Sequence, residues 1–349
     1  MFLRDSLTKY MGVMFIASML ANVANYFFHI FMSRALGPGD YGILASLSSL
    51  FLILSVPIGT IQTTVAKYTS HFKALENYIR ISQLFSTSLK KLFLIGIVSF
   101  LIFIGFSKYI ASFLQTPSLL PIIIIGTCLP VSFILPLIWG ELQGLQEFNY
   151  LGSNIVLQAF SKLALGILLV YLGWRVNGAL LGYVLSPLIA FSFAIIYLLH
   201  IFQRQKNAEN SQETFQDSKH FQKLDSTIEY SSKDSFPKEI LNFSEKQIGL
   251  PNIFIYSLPV ALTILCFTLL TNGDVLLVKH FFVPYQAGYY SAASIVAKII
   301  IYLPGAIGIV MFPKTSELYA LNQDSLGVLK KSLLYTVIIC GGILIVQGY

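Results

Sequence analysis

The sequence predicts an all-α polytopic membrane protein of about nine transmembrane helices, and three observations carry the prediction. Of 349 residues, 55% are hydrophobic and only 11% charged, where a soluble domain carries roughly a quarter charged residues. Mean hydropathy is +0.72, too high for one buried core under a polar surface. Apolar runs longer than about 18 residues recur along the chain, each long enough to cross a bilayer. Backbone groups in lipid must find partners within their own segment, so each run is read as a helix.

The runs fall at 11–33, 42–66, 92–114, 118–140, 150–173 and 176–201, then at 253–278, 286–312 and 330–347. The first is span-length and no small-residue cleavage site follows it, so it is expected to stay in place. Residues 1–201 therefore form a six-helix N-terminal lobe. Residues 251–349 hold an incomplete second lobe of about three helices. Between them, residues 202–250 carry seven basic and eight acidic residues among many Gln, Ser and Asn. Balanced charge with few apolar residues reads as a cytoplasmic linker, within which FPKEILNF (236–243) has the pattern of a short surface helix. A segment of this size is too small for a stable catalytic core.

Orientation follows from Lys and Arg in short loops, which stay on the cytoplasmic side. With the N-terminus inside, that side holds Arg4, Lys9, Lys67, Lys73, Arg80, Lys90, Lys91, Lys314, Lys330 and Lys331; the other holds Arg34, Lys108, Arg175 and Lys279. The expectation is a multi-pass protein of the plasma (inner) membrane with a cytoplasmic N-terminus. The net charge of +7 thus reads as topology and lipid headgroup contact, not as a nucleic-acid footprint. Cys128, Cys266 and Cys340 lie far apart in apolar runs, without the spacing of a disulfide framework or a metal site. No cofactor is implied.

Two connecting segments repeat. RALGPGDYG (34–42) joins spans one and two, and KHFFVPYQAGYYSAAS (279–294) joins spans seven and eight. Aligning Pro38 with Pro284 brings Gly42 onto Gly288 and, with one inserted residue, Pro57 onto Pro304 and Lys67 onto Lys314. Six spans separate the copies, so both enter the membrane from the same side. Parallel lobes facing one another about an axis along the membrane normal enclose a cavity suited to alternating access.

Three stretches, FMSRALGPGDYGILASLSSL (31–50), TNGDVLLVKHFFVPYQAGYYSAASIVAK (271–298) and LPGAIGIVMFPKTSEL (303–318), resemble the oligosaccharide flippases of polysaccharide biosynthesis. That family lies in the superfamily that also holds the multidrug and toxic-compound extruders. The resemblance implies two lobes, usually of about twelve to fourteen spans together, and movement of polyprenyl-diphosphate-linked sugars from the inner to the outer leaflet. It implies as partners a lipid-linked oligosaccharide and membrane lipids, with glycan polymerases or glycosyltransferases as candidates. A drug or metabolite extruder driven by a cation, and a non-transporting scaffold for glycan assembly, are the alternatives.

Such a substrate has an anionic head that needs a wet, cationic path, so polar residues inside spans are the candidates. Lys162, with Asn154, Gln158 and Ser161 at helical spacing, lies mid-span in the fifth run; Lys298 lies mid-span in the eighth, in line with Ser291, Ser294 and Tyr302. Each lysine either lines the cavity or pairs with a carboxylate or a carbonyl at a helix break. Ser18, Asn22, Asn25, His29 and Ser33 form one stripe, for sugar contact by Asn25 and His29 or for interhelical hydrogen bonds. Asp274 is the best carboxylate for a coupling cation, for pairing with Lys279 or Arg34, or for a helix-end hydrogen bond. Arg34 and Asp40 are expected to shape the outer loop or meet headgroups. Pro57, Pro130, Pro136, Pro187, Pro259 and Pro304 stand within spans and permit kinks. No phosphate loop, H-E-x-x-H or carboxylate cluster occurs, so an enzyme is not expected. Glu141 and Glu147 read as solvated charges of a cytoplasmic turn.

Overall fold

The computed structural model describes residues 2–74, 78–222 and 250–298, with six positions between 330 and 341. Every described element is helical. The end of the eighth run, most of the ninth, the segment 236–243 and the repeat's second Pro304 and Lys314 lie outside the described residues.

Helix α1 (Phe2–Leu54) is two helices joined at Gly37, whose φ of 74° and ψ of 169° break the helical path. A positive φ costs glycine little, and Pro38 behind it restricts the chain further. Its apolar part, Gly12–Leu54, has 43 residues and would measure about 64 Å if straight, twice the ~30 Å of a bilayer core. It is not straight, because the Tyr41 hydroxyl lies 3.4 Å from His29 Nδ1, a gap that twelve residues of unbroken helix would stretch to about 18 Å. The chain doubles back at Gly37.

Helix α2 (Val56–Ala74) begins after a turn residue at Ser55. Pro57 at its second position has no N–H for the carbonyl of Ile53, which explains the break inside the predicted second span. Helices α3 (Tyr78–Gly105) and α4 (Ser107–Phe113) follow. Helices α5 (Leu120–Gly126) and α6 (Cys128–Gly144) share one apolar span, interrupted at Thr127 three residues before Pro130. Helices α7 (Phe148–Leu169) and α8 (Arg175–Gln222) flank a π-helical turn, Val170–Trp174, in which Gly173 has φ 90° and after which Arg175 has φ 47°. Helix α9 (Leu250–Phe281) and helix α10, over 284–298, complete the described chain.

Among the described residues, five helical stretches are long and apolar enough to cross a membrane, and the two longest are broken at Gly37 and Gly173 and can each cross twice. Helix α8 continues to Gln222, so residues 202–222 are helical, where the composition suggested a linker.

Glycines let these helices approach closely. A Cβ on Gly144 would lie 2.5 Å from Thr69 Cβ, and one on Gly140 would lie 2.8 Å from the Gln62 carbonyl, so α2 and α6 meet almost backbone to backbone. At that seam Glu141 is 0% exposed and accepts a 2.7 Å hydrogen bond from the Thr69 hydroxyl. The reading of Glu141 as a solvated loop charge is therefore wrong. The helix runs one turn past the expected boundary and turns this side chain inward onto α2. Lys73 Nζ donates to the Leu145 carbonyl at 2.5 Å and Gln62 to Gln143 at 3.0 Å across the same seam.

Buried side chains form one core around Phe28, Met32, Tyr41, Leu44 and Leu180 and another around Val65, Ile81, Leu137 and Leu198. Large apolar side chains also cover the outside, Leu270 at 81% and Tyr171 at 77% exposure among them. A chain apolar both inside and outside is a multi-pass membrane protein.

Candidate functional site

A cavity of about 520 Å³ lies between the N-terminal helices and the pair α9–α10. Helix α1 contributes Asn22, Asn25 and His29 before its reversal and Ser48 and Ser49 after it; α7 supplies Lys162, α8 Tyr183, α9 Asn272, and α10 Ser291 and Lys298. The remaining wall is apolar, with Met19, Val23, Phe27, Leu52, Val275 and Ile295. Two lysines 136 positions apart in sequence thus face one space.

Their surroundings differ. Lys162 Nζ sits 4.4 Å from the centroid of the Tyr183 ring and 5.1 Å from that of Phe28. Among the described residues it has no carboxylate within ion-pair distance. Lys298 Nζ lies 3.6 Å from Asp274 Oδ1. Asp274 Oδ2 in turn accepts hydrogen bonds from the Tyr290 hydroxyl at 3.0 Å and the Ser294 hydroxyl at 3.1 Å. The carboxylate that the sequence offered to Lys279 or Arg34 is thus engaged by Lys298. The i, i+4, i+8 stripe of Tyr290, Ser294 and Lys298 on α10 explains why. Lys279 is instead buried near Asp40, and Asp40 pairs with Arg175 at 2.8 Å. Arg34 is exposed.

The stripe on α1 divides. Asn22, Asn25 and His29 reach the cavity, whereas the Ser33 hydroxyl donates to the Ile30 carbonyl of its own helix at 2.8 Å. His29 is held between two hydroxyls, Tyr41 at its Nδ1 and Tyr183 at its Nε2, 3.4 and 3.3 Å away. The stripe on α7 divides as well. Asn154 is fully buried, accepts from Trp139 Nε1 and donates to the Ala190 carbonyl, both at 2.7 Å, and is a packing residue between α6, α7 and α8. Gln158 and Ser294 do not line the cavity; Ser294 reaches it only through Asp274 and Lys298. Tyr183, which touches both His29 and Lys162, gave no signal in the sequence because a mid-span tyrosine counts as apolar.

Just beyond one end of the cavity lining, the repeated segments pack against each other. A Cβ on Gly42 would lie 3.2 Å from Gly288 N and 3.5 Å from the Pro284 carbonyl, while one on Gly288 would collide with Pro38. The contacts are reciprocal: the Pro of each copy meets the Gly of the other, as a two-fold relation between the copies requires. Cavity lining starts one turn deeper on both sides, at Ala45 and Ser291. Beside this contact, Gln115 Nε2 donates to the His280 carbonyl at 2.6 Å and the Phe113 and His280 rings stack at 4.3 Å.

The sequence profile of polysaccharide biosynthesis proteins matches residues 7–228. Over 322 residues the chain is 25% identical to an uncharacterized membrane protein of Methanocaldococcus jannaschii, a match covering 90% of this chain and 69% of that one. Among solved structures it is similar to the inward-facing conformation of a multidrug resistance MATE family transporter of the MOP superfamily, with a TM-score of 0.62 at 16% identity, over 93% of this chain and 68% of the other. It is likewise similar to the MATE multidrug transporter DinF-BH, with a TM-score of 0.62 at 13% identity, over 97% and 70% of the two chains. At these identities the likeness is one of fold.

Proposed function

Because the chain belongs to the polysaccharide biosynthesis protein family, we propose that it flips a polyprenyl-diphosphate-linked oligosaccharide from the inner to the outer leaflet of the plasma membrane by alternating access between its two lobes. The observation that carries this reading is the cavity faced by Lys162 from one lobe and Lys298 from the other. Two ammonium groups against one carboxylate leave the space net cationic, which suits a diphosphate and disfavours a cationic drug. Asn22, Asn25 and Ser49 offer hydrogen bonds to sugar hydroxyls, and the apolar wall accommodates the start of the lipid. With the N-terminus cytoplasmic, the Gly42–Gly288 contact lies at the outer end, and the head group enters from the cytoplasmic side.

The same fold supports extrusion of a drug or metabolite, and the two readings separate in one experiment. Proteoliposomes carrying the chain are given a fluorescent lipid-linked oligosaccharide in one arm and a lipophilic cationic dye in the other. Translocation of the glycolipid alone, lost in the Lys162→Ala variant, is the expected result. Transport of the dye alone would overturn the proposal.

A further inference from the structure

Lys298 has an anion of the protein itself beside it. Burying its ammonium in the membrane without a counter-charge is expensive, and Asp274 supplies that charge from the neighbouring helix of the same lobe. The pair is unequal. Asp274 is fixed through Oδ2 by Tyr290 and Ser294, whereas Oδ1 is buried without any hydrogen bond and lies 3.6 Å from Lys298 Nζ, beyond the 2.7–3.2 Å of a good hydrogen bond. The carboxylate is anchored and the lysine is only loosely held. Lys298 also lines the cavity, so it can turn to a ligand while Asp274 stays in place. Lys162, packed against aromatic faces, has no such internal competitor among the described residues.

We propose that Asp274 is a displaceable counter-ion that occupies the Lys298 anion subsite in the empty protein, so that only a ligand carrying two phosphate charges competes for it well. This rests on the anion-binding reading of the cavity. A diphosphate takes Lys162 without competition and must draw Lys298 away from Asp274 to engage both. A monophosphate gains little from the second step. Once Lys298 has turned, the unmasked carboxylate repels the bound anion and favours its release. Asp274 thereby acts through Lys298 as a specificity-determining residue and does not itself contact the ligand.

The test is calorimetric titration of inorganic pyrophosphate and inorganic phosphate into the full chain in lipid nanodiscs. Asp274→Asn, which keeps the hydrogen-bonding shape and removes the charge, should raise pyrophosphate affinity about tenfold, slow its dissociation and shrink the preference for pyrophosphate over phosphate. A merely structural role predicts weaker binding. In Asp274→Asn with Lys298→Gln, the gain should disappear. Asp274→Ser serves as the second variant if Asp274→Asn does not fold. If the wild type binds pyrophosphate and Lys162→Gln weakens it, yet neither Asp274 variant strengthens it, the counter-ion proposal is overturned while the anion cavity stands. If the wild type binds no pyrophosphate and Lys162→Gln changes nothing, the reading of the cavity itself fails.

Discussion

Lys162 and Asn154 lie two turns apart on α7 and would be equal candidates by their spacing alone. Packing separates them. Asn154 has both ends of its amide satisfied by Trp139 and Ala190, so Asn154→Ala leaves the part-buried Trp139 N–H unpaired at a cost of about 1–3 kcal/mol and empties a packed site. The expected outcome is a melting temperature in detergent lowered by several degrees, with glycolipid flipping per folded molecule unchanged. Lys162 is the reverse. Two ring faces return about 0.5–2 kcal/mol, less than the several kcal/mol of desolvation, so a charge at this position is a net cost to the fold. Lys162→Ala should keep or raise the melting temperature and lower flipping at least tenfold. A variant that loses stability and activity together would show the lysine to be structural. Polar residues within apolar runs made Lys162, Lys298, Asn25 and His29 legible in the sequence. What the sequence could not rank is which of them turns toward a neighbour, since Asn154 carries the same signal and points into packing.

At the scale of elements, the repeated Pro and Gly were legible because they stand in register at the same place in each copy. Their reciprocal contact was not, because it depends on the two copies meeting across the molecule. The contact leaves no room for a side chain at position 288. Gly288→Leu should therefore hold that end apart. With Asn25→Cys as reporter in the cavity, a membrane-impermeant maleimide added from that side is expected to label the Gly288→Leu protein and not its parent, and flipping is expected to stop. Equal labelling of both proteins would show that the contact does not seal the cavity. The break at Gly173 falls at the gap read between the fifth and sixth apolar runs, whereas the helical stretch 202–222 escaped the sequence. A polar helix carries no apolar stripe to reveal it.

For the whole molecule, the balance of Lys and Arg predicts a cytoplasmic N-terminus, and the proposed direction of movement depends on it. Cysteines introduced at Ser118 and Gln146, both exposed, should react with an impermeant thiol reagent from outside and from inside respectively. The opposite pattern would invert the cavity and the proposed direction of movement. Fold class follows from composition and periodicity, whereas the substrate depends on a few side chains whose meeting is a property of the fold.

The most direct measurement is mass spectrometry of polyprenyl-linked glycans extracted from cells lacking this gene, and from the same cells carrying the chain or its Lys162→Ala variant. The account predicts that one lipid-linked glycan accumulates in the deletion, is cleared by the wild-type chain and persists with the variant. Unchanged lipid-linked glycans in a strain without a redundant flippase would contradict it.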